Sequence, residues 1–137
     1  MDNSWVTQVE GIVSDYIEAS LDDSNILVTT ESYTGDTARF PAVYVHEMPQ
    51  QEIGSDLDGS FINGVRSTFQ LDVFAYAEKD CKELSSKVML IMKELRFKVI
   101  ASPIYTKENG YHTSVSRYRR DIGASDLELF NDNEQGD

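Results

Sequence analysis

The chain has 137 residues, a hydrophobic fraction of 40% and a formal net charge of -12 at pH 7. A chain of this length can bury roughly two-thirds of the surface that it exposes when unfolded, so it can form one hydrophobic core. The acidic balance argues against a nucleic-acid interface, which needs a basic stripe. No apolar run is long enough to span a membrane, and the single cysteine, Cys81, excludes an internal disulfide.

The acidic excess is confined to the two ends of the sequence. Residues 1–38 contain eight acidic and no basic side chains, and residues 121–137 contain six acidic and no basic side chains. The other ten acidic and all twelve basic side chains fall in residues 39–120, which therefore carry a net charge of +2. One interpretation is a solvated surface that keeps the protein soluble. The other is a surface that repels polyanions such as nucleic acid.

The predicted elements begin with an amphipathic helix that Asn3 or Ser4 can cap. Its apolar side chains recur at helical spacing: Trp5, Val9, Ile12, Val13, Tyr16 and Ile17. A short β-like run follows at residues 26–30, and residues 40–46 are predicted to form the next strand. Residues 65–76 are the clearest strand, because apolar and polar side chains alternate there.

The second half of the chain predicts a helix and then a hairpin. Asp80 and Glu83 have the spacing of a capping box. The helix behind them would bury Cys81, Leu84, Val88, Ile91, Met92 and Leu95. Residues 97–105 are predicted to form a strand that bends at Pro103. Asn109-Gly110 predicts a type I′ turn, so residues 111–122 should pair back on that strand.

This order of elements predicts an α+β fold, a mainly antiparallel four- to five-stranded sheet with two α-helices packed on one face. We expect residues 1–130 to form a single domain and residues 131–137 to form a disordered acidic tail. The second face of the sheet is expected to be polar and open to water or to a partner. It would carry Arg66, Gln70, Asp72, Ser114 and Arg117.

No pattern in the sequence indicates catalysis or a bound cofactor. His46 and His112 occur singly on predicted strands, without the spacing of a metal site. Asp56 suggests a calcium loop, but Gly54 and Val65 stand where that loop needs acidic ligands. No nucleophile elbow, dinucleotide fingerprint or phosphate loop occurs. We therefore predict no catalytic residue, no metal site, no cofactor and no enzymatic activity.

Two segments carry side chains suited to protein contacts. Residues 49–64 exceed the usual length of a structureless loop and contain apolar anchors that a partner could order, Ile53, Leu57, Phe61 and Ile62. The last strand ends in arginines around a tyrosine, residue types that are enriched in protein interfaces. The candidate interface residues of this strand are Arg117, Tyr118, Arg119 and Arg120, and Arg66 from an earlier strand is added to them. The alternatives are a mobile surface loop and, for the arginines, pairing within the subunit.

The pattern as a whole resembles the tail-terminator, or tail-completion, proteins of long-tailed bacteriophages. The resemblance covers about residues 3–123 in order, from the first helix to the long loop and the second helix. Its best segments are Phe-Pro-Ala-Val-Tyr-Val at 40–45, Arg-Ser-Thr-Phe-Gln-Leu-Asp-Val-Phe-Ala-Tyr-Ala at 66–77 and Tyr-Arg-Arg-Asp-Ile-Gly at 118–123. These segments form a pattern rather than a signature motif.

The resemblance implies a structural virion protein. Such proteins form a homohexameric ring at the head-proximal end of the tail, where the ring ends polymerisation of the tail-tube protein and docks the head–tail connector protein. DNA passes through the lumen without specific binding, and no membrane is involved. We expect assembly in the host cytoplasm, since no secretory signal is recognisable, and localisation in the virion tail. The alternatives are another connector or neck ring, an acidic protein-binding adaptor, and a small enzyme without a recognisable motif.

Overall fold

The computed structural model of the protein describes residues 7–30, 40–53 and 64–123. Within these ranges the chain forms two helices, α1 (Val9–Leu21) and α2 (Glu78–Glu94). It also forms six strands there: β1 (Leu27–Thr29), β2 (Ala42–Glu47), β3 (Gln51–Glu52), β4 (Gly64–Ala75), β5 (Lys98–Glu108) and β6 (Tyr111–Gly123). The predicted α+β class is confirmed, with six strands in place of four or five. The unpredicted strand is β3, which lies inside the predicted loop 49–64, and the predicted tail 131–137 lies outside the described residues.

The strands form one mainly antiparallel sheet. Its order is β1-β2-β4-β6-β5, with β3 paired to the start of β4. β1 is parallel to β2, and the other neighbouring strands are antiparallel. β4 pairs along its whole length with β6, from Gly64 opposite Gly123 to Ala75 opposite His112. The order places β1 and β5 at opposite edges of the sheet.

The hydrophobic core lies between the two helices and one face of this sheet. The alternation predicted for β4 is confirmed, because its odd-numbered side chains are buried and its even-numbered ones are half-buried on the opposite face. The core residues of β4 are Val65, Phe69, Leu71, Val73 and Ala75, and those of α1 are Val9, Val13 and Ile17. Each large apolar side chain contributes about 1.5–3 kcal/mol when fully buried. A register slip of one residue would expose the whole stripe, so burial fixes the register.

The second helix buries the apolar stripe that its spacing predicts, including Cys81, whose thiol pKa is raised by burial. The predicted capping box is wrong, because α2 begins at Glu78 and its N-cap, Ala77, forms no side-chain cap. Asp80 therefore lies within the first turn. There its negative charge and that of Glu78 interact favourably with the positive end of the helix dipole.

The hairpin between β5 and β6 forms where Asn109-Gly110 predicts it, with Glu108 opposite Tyr111. The predicted type I′ geometry is wrong. That turn needs a positive φ at both central residues, and of Asn109 and Gly110 only Gly110 has one, of 89°. Earlier in the chain, the pairing of β5 with β6 is irregular around Pro103, with register shifts on either side of Ala101. These irregularities make β5 a poor template for another strand, as is common for edge strands.

Ser114 does not lie on the open side of the sheet, and that prediction is wrong. Its side chain is fully buried, and its hydroxyl shares a hydrogen bond with Ser85 of α2. Side chains alternate along a strand, so Ser114, Ser116 and Tyr118 share the face that contacts the helices. Arg117 points to the opposite face and is exposed.

Candidate interaction surface

The sheet face opposite the helices presents side chains from four strands, and we call it the open face. Its two central rows are Tyr44–Asp72–Val115–Ile104 and His46–Gln70–Arg117. Cross-strand neighbours on one face lie about 4.5–5.5 Å apart at Cβ, which is close enough for direct side-chain contact. The open face is therefore a continuous surface, and its centre is the regularly paired strands β2, β4 and β6.

A chain of hydrogen bonds holds the polar side chains of the open face. The Arg117 Nε donates to Gln70 Oε1 at 3.1 Å, and the Gln70 Nε2 donates to Asp72 Oδ1 at 3.2 Å. The Tyr44 hydroxyl and His46 Nδ1 share a hydrogen bond of 3.3 Å. Burial raises the pKa of the Asp72 carboxyl, and the bond from Gln70 partly opposes that shift. These contacts restrict the rotamers of the side chains, so a partner would meet a preorganised surface.

Next to the polar chain the open face exposes a pair of aliphatic side chains. Ile104 of β5 is 67% exposed and lies opposite Val115 of β6, which is 36% exposed. Ile100, earlier in β5, is 45% exposed. An exposed apolar pair on a sheet, beside an arginine, is a combination that partner proteins bury.

An aromatic cluster closes one end of the open face. The ring of Phe40 lies 5.7 Å from that of Phe74, 5.0 Å from that of Tyr76 and 5.2 Å from that of Tyr111, measured between centroids. Such pairs contribute about 0.5–1.5 kcal/mol each beyond the area that they bury. The cluster therefore holds the chain before β2 against the strands at the centre of the sheet.

Tyr118 belongs to the core, so its predicted interface role is wrong. Its side chain is fully buried among the residues under the helices, and its hydroxyl donates to Ser116 Oγ at 2.9 Å. Burial raises the pKa of this hydroxyl. The sequence grouped Tyr118 with the arginines beside it, but a strand sends neighbouring side chains to opposite faces.

The predicted arginine cluster is divided between two environments. Arg117 and Arg119 are exposed on the open side of β6. Arg120 points to the helix side, where its Nη1 donates to the carbonyl of Leu95 at 2.7 Å. Arg66 is paired within the subunit, since its Nε donates to Asp121 Oδ1 at 2.9 Å and this bond lowers the pKa of the Asp121 carboxyl.

Four cations surround a depression of about 290 Å³ beside the start of β5, which we call the basic pocket. Its lining residues are Arg96, Lys98, Arg119, Arg120 and Asp121. Arg96 follows α2 in the left-handed conformation, with φ 65°, and thereby connects the helix to β5. The sequence predicted a basic cluster at residues 117–120, but Arg96 and Lys98 join it only through the fold.

A groove of opposite charge lies at the other edge of the sheet, between the end of α1 and β1, and we call it the acidic groove. It measures about 540 Å³ and is lined by Asp15, Glu18, Ala19, Asp22, Asp23, Ser24, Ile26, Leu27 and Val28. Asp22 has a left-handed backbone that ends α1, and the Asp23 carboxylate accepts the Asn25 amide at 2.9 Å. The groove is thus formed by folded elements.

Of the apolar anchors predicted in the loop 49–64, only Ile53 lies within the described residues. Leu57, Phe61 and Ile62 lie outside them, and their interface role stays a prediction. Ile53 is half-buried, and its amide donates to the Gly64 carbonyl at 2.9 Å. A Cβ on Gly64 would lie 3.2 Å from the carbonyl oxygens of both Ile53 and Ile122, which favours glycine there. The two ends of the loop are therefore held together by β3 and β4.

Glu47 is a half-buried carboxyl that the sequence analysis did not single out. It accepts hydrogen bonds from Ser67 Oγ at 2.6 Å and from Gln50 Nε2 at 2.9 Å, and its own amide donates to the Glu10 carboxylate. Burial raises the pKa of Glu47, and the charge of Glu10 adds to that shift. A signal was present, because Glu47 follows the buried Val43 and Val45 at strand spacing.

Replacing Glu47 with glutamine should make folding less dependent on pH. A carboxyl whose pKa is raised by folding favours the native state below its unfolded pKa and loses that contribution as pH rises through the folded pKa. Glu47→Gln removes the charge and keeps an acceptor for Ser67. We expect a higher thermal midpoint than wild type at pH 7 and no such gain at pH 4, measured by circular dichroism. A lower midpoint at pH 7 would mean that the carboxylate stabilises the fold.

The described residues contain no group of three or more His, Cys, Asp or Glu side chains arranged to hold a metal ion. Neither of the two helices in this part of the chain is long and apolar enough to cross a membrane. Comparison of the sequence with protein-family models gives no match, and comparison with curated proteins gives none either.

Proposed function

We propose that the protein is a structural assembly protein, which works by binding copies of itself and other proteins rather than by catalysis. The observation that carries this proposal is the open face, where Ile104 and Val115 are exposed beside Arg117 on the paired strands β5 and β6. Exposed apolar side chains next to arginine are typical of surfaces that become buried on association.

Within that class, the protein is best explained as a tail terminator of a long-tailed bacteriophage. Its subunits form a hexameric ring at the head-proximal end of the tail, end growth of the tail tube and dock the head–tail connector protein. Support comes from the order of the elements, since α1, β2, β4, α2 and β6 occupy in turn the segments that carry the resemblance, and from the net charge of -12. A lumen lined by acids would let DNA pass without binding, because like charges repel.

The open face is the surface that we assign to the tube protein or the connector. A terminator has to recognise the end of a finished polymer, which needs a preorganised surface rather than a deep pocket. The hydrogen-bonded row through Arg117, Gln70 and Asp72 supplies such a surface. We place assembly in the host cytoplasm and the finished ring in the virion.

The acidic groove favours a second candidate, an adaptor that binds a basic partner. Asp15, Glu18, Asp22 and Asp23 lie together there. An adaptor would act as a monomer and would form a complex of fixed stoichiometry with a basic protein. Native mass spectrometry of the purified full chain across a range of concentrations separates the two, since a ring predicts a closed oligomer of six subunits.

A tail-tube assay tests the terminator function directly. The tail-tube protein of the same phage or prophage is polymerised with and without the purified chain, and tube lengths are measured by electron microscopy. We expect shorter tubes with a ring on one end. Tube growth that is identical in the presence of the protein, over the full range of molar ratios, would reject the terminator function.

A further inference from the structure

The basic pocket and the acidic groove lie on opposite edges of one sheet. The pocket is formed where β5 begins, through Lys98, and where β6 ends, through Arg119. The groove is formed by the end of α1 and by β1. Neighbouring strands lie about 4.8 Å apart, so the four spacings from β1 to β5 amount to roughly 19 Å. A subunit therefore cannot bring its own groove to its own pocket.

We propose that the basic pocket of one subunit binds the acidic groove of a second copy, and that this contact is the subunit interface of the ring. The proposal rests on the ring assembly given above and names the surfaces that form it. The two surfaces lie on opposite edges of the sheet, and in the ring each subunit gives its pocket to one neighbour and its groove to the other, so the contact is heterologous. Heterologous contacts repeat from subunit to subunit and close into a ring when the rotation between subunits allows it.

Charge complementarity identifies the second copy as the occupant. The pocket presents four cations and one carboxylate, that of Asp121, which is already paired with Arg66. The groove presents four carboxylates and no basic side chain. In a chain of net charge -12, this cationic depression is complementary to the acidic surface that every copy carries. Arginine is suited to the contact because its guanidinium binds carboxylates with two parallel hydrogen bonds.

The shapes of the two surfaces also agree with the proposal. The acidic side chains of the groove stand beside Ile26, Leu27 and Val28, which are half-buried. Long cationic side chains can cover such apolar surface with their methylene stems while their charged ends reach the carboxylates. In the pocket, the bond from Arg120 to the Leu95 carbonyl holds one guanidinium in place before a partner arrives. Edge-strand pairing is not needed, and the irregular β5 disfavours it.

Zero-length cross-linking tests the contact on the full-length protein. Equal amounts of unlabelled and ¹⁵N-labelled protein are mixed, treated with a carbodiimide that joins lysine to carboxylates, and mapped by mass spectrometry. We expect Lys98 to be joined to Asp15, Glu18, Asp22 or Asp23 in peptides that combine both isotopes. Lys98 joined only to acids of its own chain, such as Asp126 or Glu128, would overturn the proposal, because the chain's own acidic end would then occupy the pocket. The absence of any Lys98 link to the groove would overturn it equally.

Charge reversal supplies a second, independent test. The pocket variant carries Arg96→Glu and Arg119→Glu, and the groove variant carries Asp15→Lys and Asp22→Lys. Each should associate with itself at least about tenfold more weakly than wild type in sedimentation velocity, which corresponds to about 1.4 kcal/mol. A 1:1 mixture should recover association, because each reversed surface then meets its complement. The mixture also has the wild-type mean charge of -12 per subunit, so net repulsion does not explain the recovery.

The matched control carries Lys87→Glu and Lys107→Glu, two exposed positions on α2 and near the hairpin turn, away from the pocket. It makes the same change in net charge as the pocket variant and should associate like wild type. Recovery that is absent in the mixture, or loss of association in this control, would overturn the proposal.

The outcome for this interface can be distinguished from the outcome for the terminator function by comparison with the tail-tube assay. If wild-type protein and both variants shorten tubes equally, the terminator function stands and this interface fails. If Lys98 links to the groove while tubes grow unchanged, the interface stands and the terminator function fails.

Discussion

Replacing Tyr118 with alanine is expected to lower the free energy of unfolding by about 3–5 kcal/mol, the usual cost of removing a large buried aromatic side chain. Tyr118 is fully buried beneath the helices, in a core that includes Phe69 and Leu71. The change would leave a cavity and remove the partner of the Ser116 hydroxyl. Urea denaturation followed by circular dichroism measures the loss. A change below about 1 kcal/mol would show that this site repacks.

The adjacent residue supplies the matched comparison. Arg119→Ala should leave the free energy of unfolding within about 0.5 kcal/mol of wild type, because its side chain is exposed. Tyr118→Phe isolates the hydroxyl and should cost about 1 kcal/mol, the usual value for one hydrogen bond. Two neighbours in one predicted interface cluster would then differ several-fold in their effect on folding.

Replacing Ile104 with aspartate is expected to abolish the arrest of tube growth while leaving the isolated subunit folded. Ile104 is 67% exposed in the subunit, so the thermal midpoint should change little. If the open face docks the tube or the connector, the same change would place an unpaired charge in a buried contact. Such burial costs several kcal/mol, and we expect binding to weaken at least about a hundredfold. Tube lengths in the polymerisation assay and the thermal midpoint are measured on the same preparation.

Leu90 provides the control for that experiment. It is 57% exposed on α2, away from the open face. Leu90→Asp makes the same chemical change and should leave tube arrest intact. Tube arrest by the Ile104 variant at wild-type protein concentrations would exclude the open face as the docking surface. Loss of arrest in both variants would indicate a general effect of added negative charge.

The two interaction surfaces proposed for the ring have separate tasks. The sheet edges carry the opposite charges that would join one subunit to the next. The open face carries the apolar pair at Ile104 and Val115 that would contact a different protein. Because the edges and the open face are separate parts of one sheet, we expect a substitution at one surface to leave the residues of the other in place. Variants that affect only one surface should therefore separate ring formation from tube recognition.

The local sequence pattern was sufficient to predict the elements whose two faces differ strongly in polarity. In β4 the odd-numbered side chains are apolar except for Ser67, and in α2 the apolar stripe repeats at helical spacing, so both were predicted with the correct buried face. The hairpin at Asn109-Gly110 was found because a two-residue turn restricts the residues that it accepts. The short strand β3 was missed, since Gln51 and Glu52 are polar and gain their strand only by pairing with β4.

The sequence by itself therefore determined the fold class, the buried stripe of β4 and the acidic excess, since each depends on residue types and their spacing. It did not determine which side of β6 faces the helices, because neither alternating set of that strand is uniformly apolar. Pairing with β4 decided which side of β6 faces the helices. It places Tyr118 opposite Phe69 in the core and Arg117 opposite Gln70 on the open face. Likewise, only the order of the strands brought Arg96 and Lys98 to Arg119 and set this basic pocket at the edge opposite the acidic groove. Such distant neighbours follow from how strands pair across the whole chain, which short-range periodicity does not encode.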